Sequence, residues 1–119
     1  DPPMRNIEIK QTYGAANLEL IIKYEENYDQ YIRALSNWAE ELIKLNYLED
    51  AKILLDICIN MNSLIFLPYS LACDIYEKER NKDNLLKLQN KVNETGIIKN
   101  NDILSKKIND CITNKLSLI

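Results

Sequence analysis

Residues 15–45 contain no glycine and no proline, and apolar side chains recur along them at spacings of three and four residues. The recurring residues are Leu18, Ile21, Ile22, Tyr28, Tyr31, Ile32, Leu35, Trp38, Ala39 and Leu42. This spacing is typical of one face of an α-helix, whereas a half-buried strand would alternate. Because the phase never resets, we expect one long helix. The alternative is two helices that meet near Asn27, with Asp29 as the second N-cap.

Further helices follow the same pattern. Asn46 interrupts the first helix, since asparagine tolerates the left-handed conformation that ends helices. A second helix is predicted from Leu48 to about Met61, and Asn62 and Ser63 end it. Pro68 is tolerated only in a first turn, so the third helix is expected to begin near residues 65–67 and to end near residue 80.

A fourth helix is predicted to begin at Asp83 as its N-cap and to stop at Gly96. A last helix should be capped by Asn101 or Asp102 and should run to about residue 117. Residues 1–14 contain two prolines and only short alternation, which indicates an extended lead-in. The sequence therefore predicts an all-α fold, with a single domain over residues 15–119.

Composition excludes several function classes. The net charge is −3, which disfavours nucleic-acid binding because such a protein needs a basic face. There is no histidine, and the three cysteines do not have zinc-site spacing, so no metal or other cofactor is predicted. No serine has a base to activate it and no carboxylates converge, so we expect no enzyme activity.

No run of apolar residues is long enough to span a membrane. The cysteines Cys58, Cys73 and Cys111 lie among apolar residues, as expected for small buried side chains in a reducing compartment. A cytoplasmic location is therefore predicted. The chain begins Asp-Pro-Pro without an initiator methionine, which suggests a fragment whose missing segment could be a membrane anchor or a signal.

The sequence is weakly self-similar. A shift of 33 residues places Trp38 on Leu71 and Ala39 on Ala72, while a shift of 34 places Ala51 on Leu85. The small residues at equivalent positions allow close approach of two helices. The difference between the two shifts predicts a loop one residue longer in the second copy.

The segment NWAEELIKLNYLEDAKILLDICINMNS resembles a tetratricopeptide repeat, with Trp38–Ala39, Leu42, Ala51 and Ser63 at the motif positions. Asn46 stands near the turn glycine of the family, and YSLACDIYEKERNKDNLLKL resembles a second copy. The resemblance implies antiparallel helical hairpins at about residues 32–63 and 65–97. They would form a short right-handed solenoid with a long first helix and a C-terminal capping helix at about residues 102–117.

In this family, first helices line a concave groove that binds peptides. The resemblance places Ser36, Asn37, Glu40 and Lys44 of the first copy in that groove. From the second copy it places Phe66, Tyr69, Cys73 and Tyr76 there. The other interpretation is that Tyr69 and Tyr76 pack inside the stack, because a helical aromatic stripe is often core. In this family, basic and asparagine side chains can clamp the C-terminal carboxylate of a bound peptide. Glu40 stands where part of that clamp would be expected, which argues against binding of chaperone tails.

The first functional hypothesis is a non-catalytic adaptor or scaffold that binds a protein or peptide. The second is self-association through the first helix, where Tyr24, Tyr28 and Tyr31 spread along one flank. The third is a ligand-sensing helical domain of a larger membrane-anchored or regulatory protein.

Overall fold

The computed structural model describes residues 27–119, and this part of the chain is all-helical, which confirms the predicted fold class. The helices are α1 (Tyr28–Lys44), α2 (Leu48–Asn60), α3 (Leu67–Lys78), α4 (Lys82–Glu94), the short α5 (Gly96–Lys99) and α6 (Asp102–Ser117). Within these residues no helix combines the length and apolarity needed to cross a bilayer. The predicted lead-in over residues 1–14 lies outside the described residues.

Helix α1 begins at Tyr28, and Asn27 occupies the N-cap position. Asp29, which the two-helix alternative placed at the N-cap, lies instead in the first turn. A carboxylate there faces the positive end of the helix dipole. The part of the predicted long helix that precedes Asn27 lies outside the described residues.

Three helices end in the same backbone turn. Asn46, Asn62 and Arg80 have φ angles of 64°, 57° and 52°, so each adopts the left-handed conformation. Each turn closes with the two hydrogen bonds of a Schellman motif, as in the 2.8 Å bond from the Tyr47 amide to the Leu42 carbonyl. The turns predicted at Asn46 and Asn62 are confirmed, whereas nothing in the sequence pattern indicated a left-handed arginine.

The starts of the later helices are marked by a proline in α3 and by side-chain caps in α4 and α6. Helix α3 begins at Leu67 with Pro68 in its first turn, as predicted. Asn101 accepts a hydrogen bond from the Leu104 amide and caps α6, also as predicted. The N-cap predicted at Asp83 is wrong, because the Asn81 side chain accepts from the amide three residues later.

The prediction that Gly96 stops α4 is also wrong. Helix α4 ends at Glu94, and Thr95 takes an extended conformation with φ −81° and ψ 113°. Gly96 is instead the first residue of α5. The break therefore comes from the backbone of Thr95, whose hydroxyl donates to the Lys91 carbonyl at 2.8 Å.

Helix ends in the first pair recur 34 residues later in the second pair. Helix α2 begins at Leu48 and α4 at Lys82, while α1 ends at Lys44 and α3 at Lys78. Both pairs are joined by three residues, so the predicted longer loop in the second pair is wrong. The 33-residue shift arose because α3 is buried on several sides, which leaves its phase ambiguous by one residue.

The helices pack as a chain of neighbours. Tyr28 near the start of α1 donates to the carbonyl of Met61 just after α2, so the two helices are antiparallel. Helix α3 packs against both α1 and α2, and α6 packs against both α3 and α4. One apolar core results, and its fully buried members include Ile32, Ala51, Leu54, Ile75, Leu85, Val92, Ile108 and Ile112.

Candidate functional site

An open cleft of about 310 Å³ lies between α2 and α4. Tyr76 of α3, which is partly exposed, contributes to its lining. The cleft is therefore built by three helices, and two of them are the second helices of the successive pairs. Any ligand that enters would contact both pairs at once.

Helix α4 contributes one continuous stripe to the cleft. Asn84, Lys87, Leu88 and Lys91 are spaced at three and four residues, so they share one face of the helix. Neither Lys87 nor Lys91 forms an ion pair with another residue in the described part of the chain. The stripe thus offers two ammonium groups to a ligand.

The cation on the α2 side is already neutralised. Lys52 lies 2.7 Å from a carboxylate oxygen of Glu49 and 2.8 Å from one of Glu79. Hydrogen bonds to Glu49 and then to Glu79 raise the pKa of Lys52. Lys52 therefore fastens the end of α3 to α2 and forms one wall of the cleft, rather than offering a free positive charge.

The rest of the lining is mixed. Ile59 and Leu88, both largely buried, supply apolar surface, and Asn60 supplies an amide. Asp56 is the carboxylate of the cleft, and desolvation by its surroundings raises its pKa. Desolvation likewise raises the pKa of the Tyr76 phenol.

The lining offers several kinds of contact to a ligand. Between residues 27 and 119 no group of three or more cysteines and carboxylates is placed to hold a metal ion. An apolar patch beside two free ammonium groups would accommodate an apolar side chain and adjacent carboxylates of a ligand. Asp56 would repel a carboxylate on the α2 side, so the anionic part of a ligand is directed towards α4.

Three residues of the predicted groove belong to the core instead of a surface. Tyr69 and Cys73 have no exposed surface, and neither has Ser36. The Tyr69 hydroxyl donates to the Ser63 carbonyl at 2.5 Å, and the Ser36 hydroxyl donates to the Ile32 carbonyl at 2.7 Å. The predictions for Tyr69 and Cys73 are wrong because α3 lies between α1, α2, α4 and α6, and so buries faces that an end helix would expose. The prediction for Ser36 is wrong because this residue of α1 faces α2, with its hydroxyl 4.0 Å from the Cys58 sulfur.

The remaining predicted residues are scattered. Asn37 and Lys44 are exposed on α1, and Glu40 is partly exposed there, but none of the three lines the cleft. The Lys107 ammonium lies over the Phe66 ring in a cation–π contact, 5.6 Å from the ring centroid. Of the eight residues predicted to line the groove, Tyr76 is the member that lines the cleft.

The tyrosine flank of the first helix packs inward where it is described. Tyr28 and Tyr31 both contact the hydrophobic core, and Tyr28 is hydrogen-bonded to α2 as described above. These partly buried rings therefore help to cover the first hairpin, and self-association through the first helix stays a prediction. Tyr24 lies outside the described residues.

Several cleft residues were not predicted, although the amino-acid sequence contains a pattern that marks them. Lys87 and Lys91 are four residues apart with Leu88 between them, and Lys52 and Asp56 show the same spacing on α2. Each pair marks a polar stripe beside an apolar one. That the two stripes face one another depends on how the hairpins pack, which the spacing alone does not encode.

No protein-family model matches this chain, and neither does any curated protein or solved structure.

Proposed function

We propose that this protein is a non-catalytic adaptor of the tetratricopeptide-repeat type, which binds an acidic peptide segment in the cleft between α2 and α4. The repeat interpretation rests on Trp38–Ala39 and Ala51, and the 34-residue recurrence of helix ends supports it. Helices α3 and α6 run parallel, with Phe66 against Lys107 and Glu77 against Lys115, which is consistent with stacked first helices. The free thiols are compatible with the predicted cytoplasmic location.

The observation that carries the proposal is the pairing of free cations with apolar surface. Lys87 and Lys91 flank Leu88 on one helix face, opposite Ile59 and Tyr76. An apolar side chain seated there would contribute about 1.5–3 kcal/mol by burial. Each exposed lysine–carboxylate contact would add roughly 0.2–1 kcal/mol. We therefore expect weak binding, with electrostatics setting the preference for acidic sequences.

A peptide-display selection on the purified chain tests this function. We expect enriched peptides to carry acidic residues next to an aliphatic or aromatic residue. Binding of a labelled enriched peptide, measured by fluorescence polarisation, should weaken as salt is raised because exposed charge pairs are screened. The double variant Lys87→Glu and Lys91→Glu should lower affinity about tenfold or more, which corresponds to about 1.4 kcal/mol.

The matched control is the double variant Lys99→Glu and Lys106→Glu. It changes net charge by the same amount at exposed positions that do not line the cleft. Its affinity for the peptide should stay within about twofold of the unmodified chain. Selection without an acidic preference, or equal losses in both double variants, would contradict the proposal.

A further inference from the structure

Helices α3 and α6 run side by side in the same direction. Phe66, just before α3, contacts Lys107 of α6, and Glu77 near the end of α3 contacts Lys115 near the end of α6. The Lys115 ammonium lies 2.7 Å from Glu77 and 2.9 Å from Asp74. Contacts that advance together along both helices establish a parallel pairing.

This pairing brings two thiols together. Cys73 precedes Glu77 by four residues, and Cys111 precedes Lys115 by four residues, so both cysteines lie one turn before the ion pair. Cys73 has no exposed surface, whereas Cys111 is partly exposed at the edge of the core. Both are free thiols. The buried thiol therefore has an accessible neighbour.

The electrostatic environment differs between the two sulfurs. Interaction with the neighbouring Cys73 thiol lowers the pKa of Cys111 to about 7, and nearby Lys115 acts in the same direction, while burial and Asp74 act against them. The same coupling, together with burial, raises the pKa of Cys73. Because the thiolate is the reactive form, Cys111 is the thiol that would attack first.

We propose that Cys73 and Cys111 form a reversible disulfide that joins α3 to α6, made by exchange with a small-molecule disulfide such as oxidised glutathione. The Cys111 thiolate attacks one reagent sulfur, which breaks the reagent S–S bond and releases one thiolate. Cys73 then loses its proton and attacks the Cys111 sulfur, which releases the second thiolate. The two protein thiols are oxidised, and the reagent disulfide is reduced to two thiols.

The third cysteine provides an internal contrast. Cys58 on α2 is fully buried, and its thiol donates to the Ile32 carbonyl at 3.9 Å. It also lies 4.0 Å from the Ser36 hydroxyl. Because this side chain has no exposed surface, the reagent does not reach it, so Cys58 should remain reduced.

The test uses the full chain in buffers with graded ratios of oxidised to reduced glutathione. After alkylation, we expect oxidation to remove two of the three alkylatable thiols without adding a glutathione mass. Digestion with chymotrypsin and trypsin cuts between Cys58 and Cys73, at Phe66 and Tyr69, and should yield a peptide linking Cys73 to Cys111. The oxidised chain should also unfold at a higher temperature, and dithiothreitol should reverse the change.

Two variants sharpen the assignment. Cys58→Ala should form the same bond, while Cys111→Ser should lose both the cross-linked peptide and the shift in unfolding temperature. If either variant fails to fold, peptide mapping of the unmodified chain decides alone. A lasting glutathione adduct on Cys111, a bond that includes Cys58, or only intermolecular disulfides would overturn the proposal.

Discussion

At the scale of single residues, Arg80 is the position where sequence and conformation disagree most. It ends α3 with a φ of 52°, and its Cβ is crowded in that conformation. We expect Arg80→Gly to raise the free energy of unfolding by about 1 kcal/mol, since glycine enters the left-handed region without steric cost. Urea denaturation followed by circular dichroism measures the change.

Arg80→Ala is the matched control for that substitution. It removes the same exposed side chain but keeps the Cβ, so its free energy of unfolding should stay within about 0.5 kcal/mol of the unmodified chain. Equal stabilisation by glycine and alanine would mean that the arginine side chain, rather than the left-handed backbone, is the unfavourable feature.

At the scale of helices and turns, prediction succeeds where the determinants are local. Asn46, Asn62, Pro68 and Asn101 mark limits that the structure confirms, because each acts through its own backbone or its own first turn. The N-cap of α4 was assigned to Asp83 instead of Asn81. The two polar residues are only two positions apart, and the spacing of apolar residues does not distinguish between them.

The candidate site was less predictable because it depends on how three helices pack against one another. Tyr69 and Tyr76 lie on the same helix, seven residues apart, yet one is core and the other lines the cleft. The difference arises from which neighbouring helix covers each ring. Periodicity identifies an apolar face, but an interior helix such as α3 has more than one covered face.

Tyr69 anchors the connection between α2 and α3. Its ring is fully buried, and its hydroxyl satisfies the Ser63 carbonyl. Tyr69→Ala should lower the free energy of unfolding by about 3–5 kcal/mol, as for other buried aromatic truncations. Tyr69→Phe should cost roughly 1–3 kcal/mol, because it leaves a buried carbonyl without its partner. Chemical denaturation of both variants gives the values.

Tyr47→Ala serves as the comparison, since the Tyr47 side chain is 56% exposed. Its effect should be within about 0.5 kcal/mol. A Tyr69→Ala chain as stable as the unmodified one would place that ring at the surface and restore the groove predicted from the family resemblance.

At the scale of the whole molecule, the helices form a line of neighbours, in which α1 and α6 lie towards opposite ends and α3 lies between them. An array of this kind can unfold as one unit or lose its ends separately, depending on how strongly adjacent units are coupled. The shared core, which runs from Ile32 of α1 to Ile112 of α6, favours strong coupling. We therefore expect a single unfolding transition.

Ile108→Ala tests that coupling from the far end. Ile108 is fully buried on α6, so the substitution should cost about 2–5 kcal/mol. Trp38, the single tryptophan, lies on α1 and reports the first hairpin by fluorescence, while circular dichroism reports all helices. If the array is cooperative, both signals shift to lower denaturant together.

Ile103→Ala, at a position of α6 that is 76% exposed, should move neither signal. A fluorescence transition that stays in place while the dichroism transition shifts would show that α6 melts separately, and that the first hairpin is stable without it.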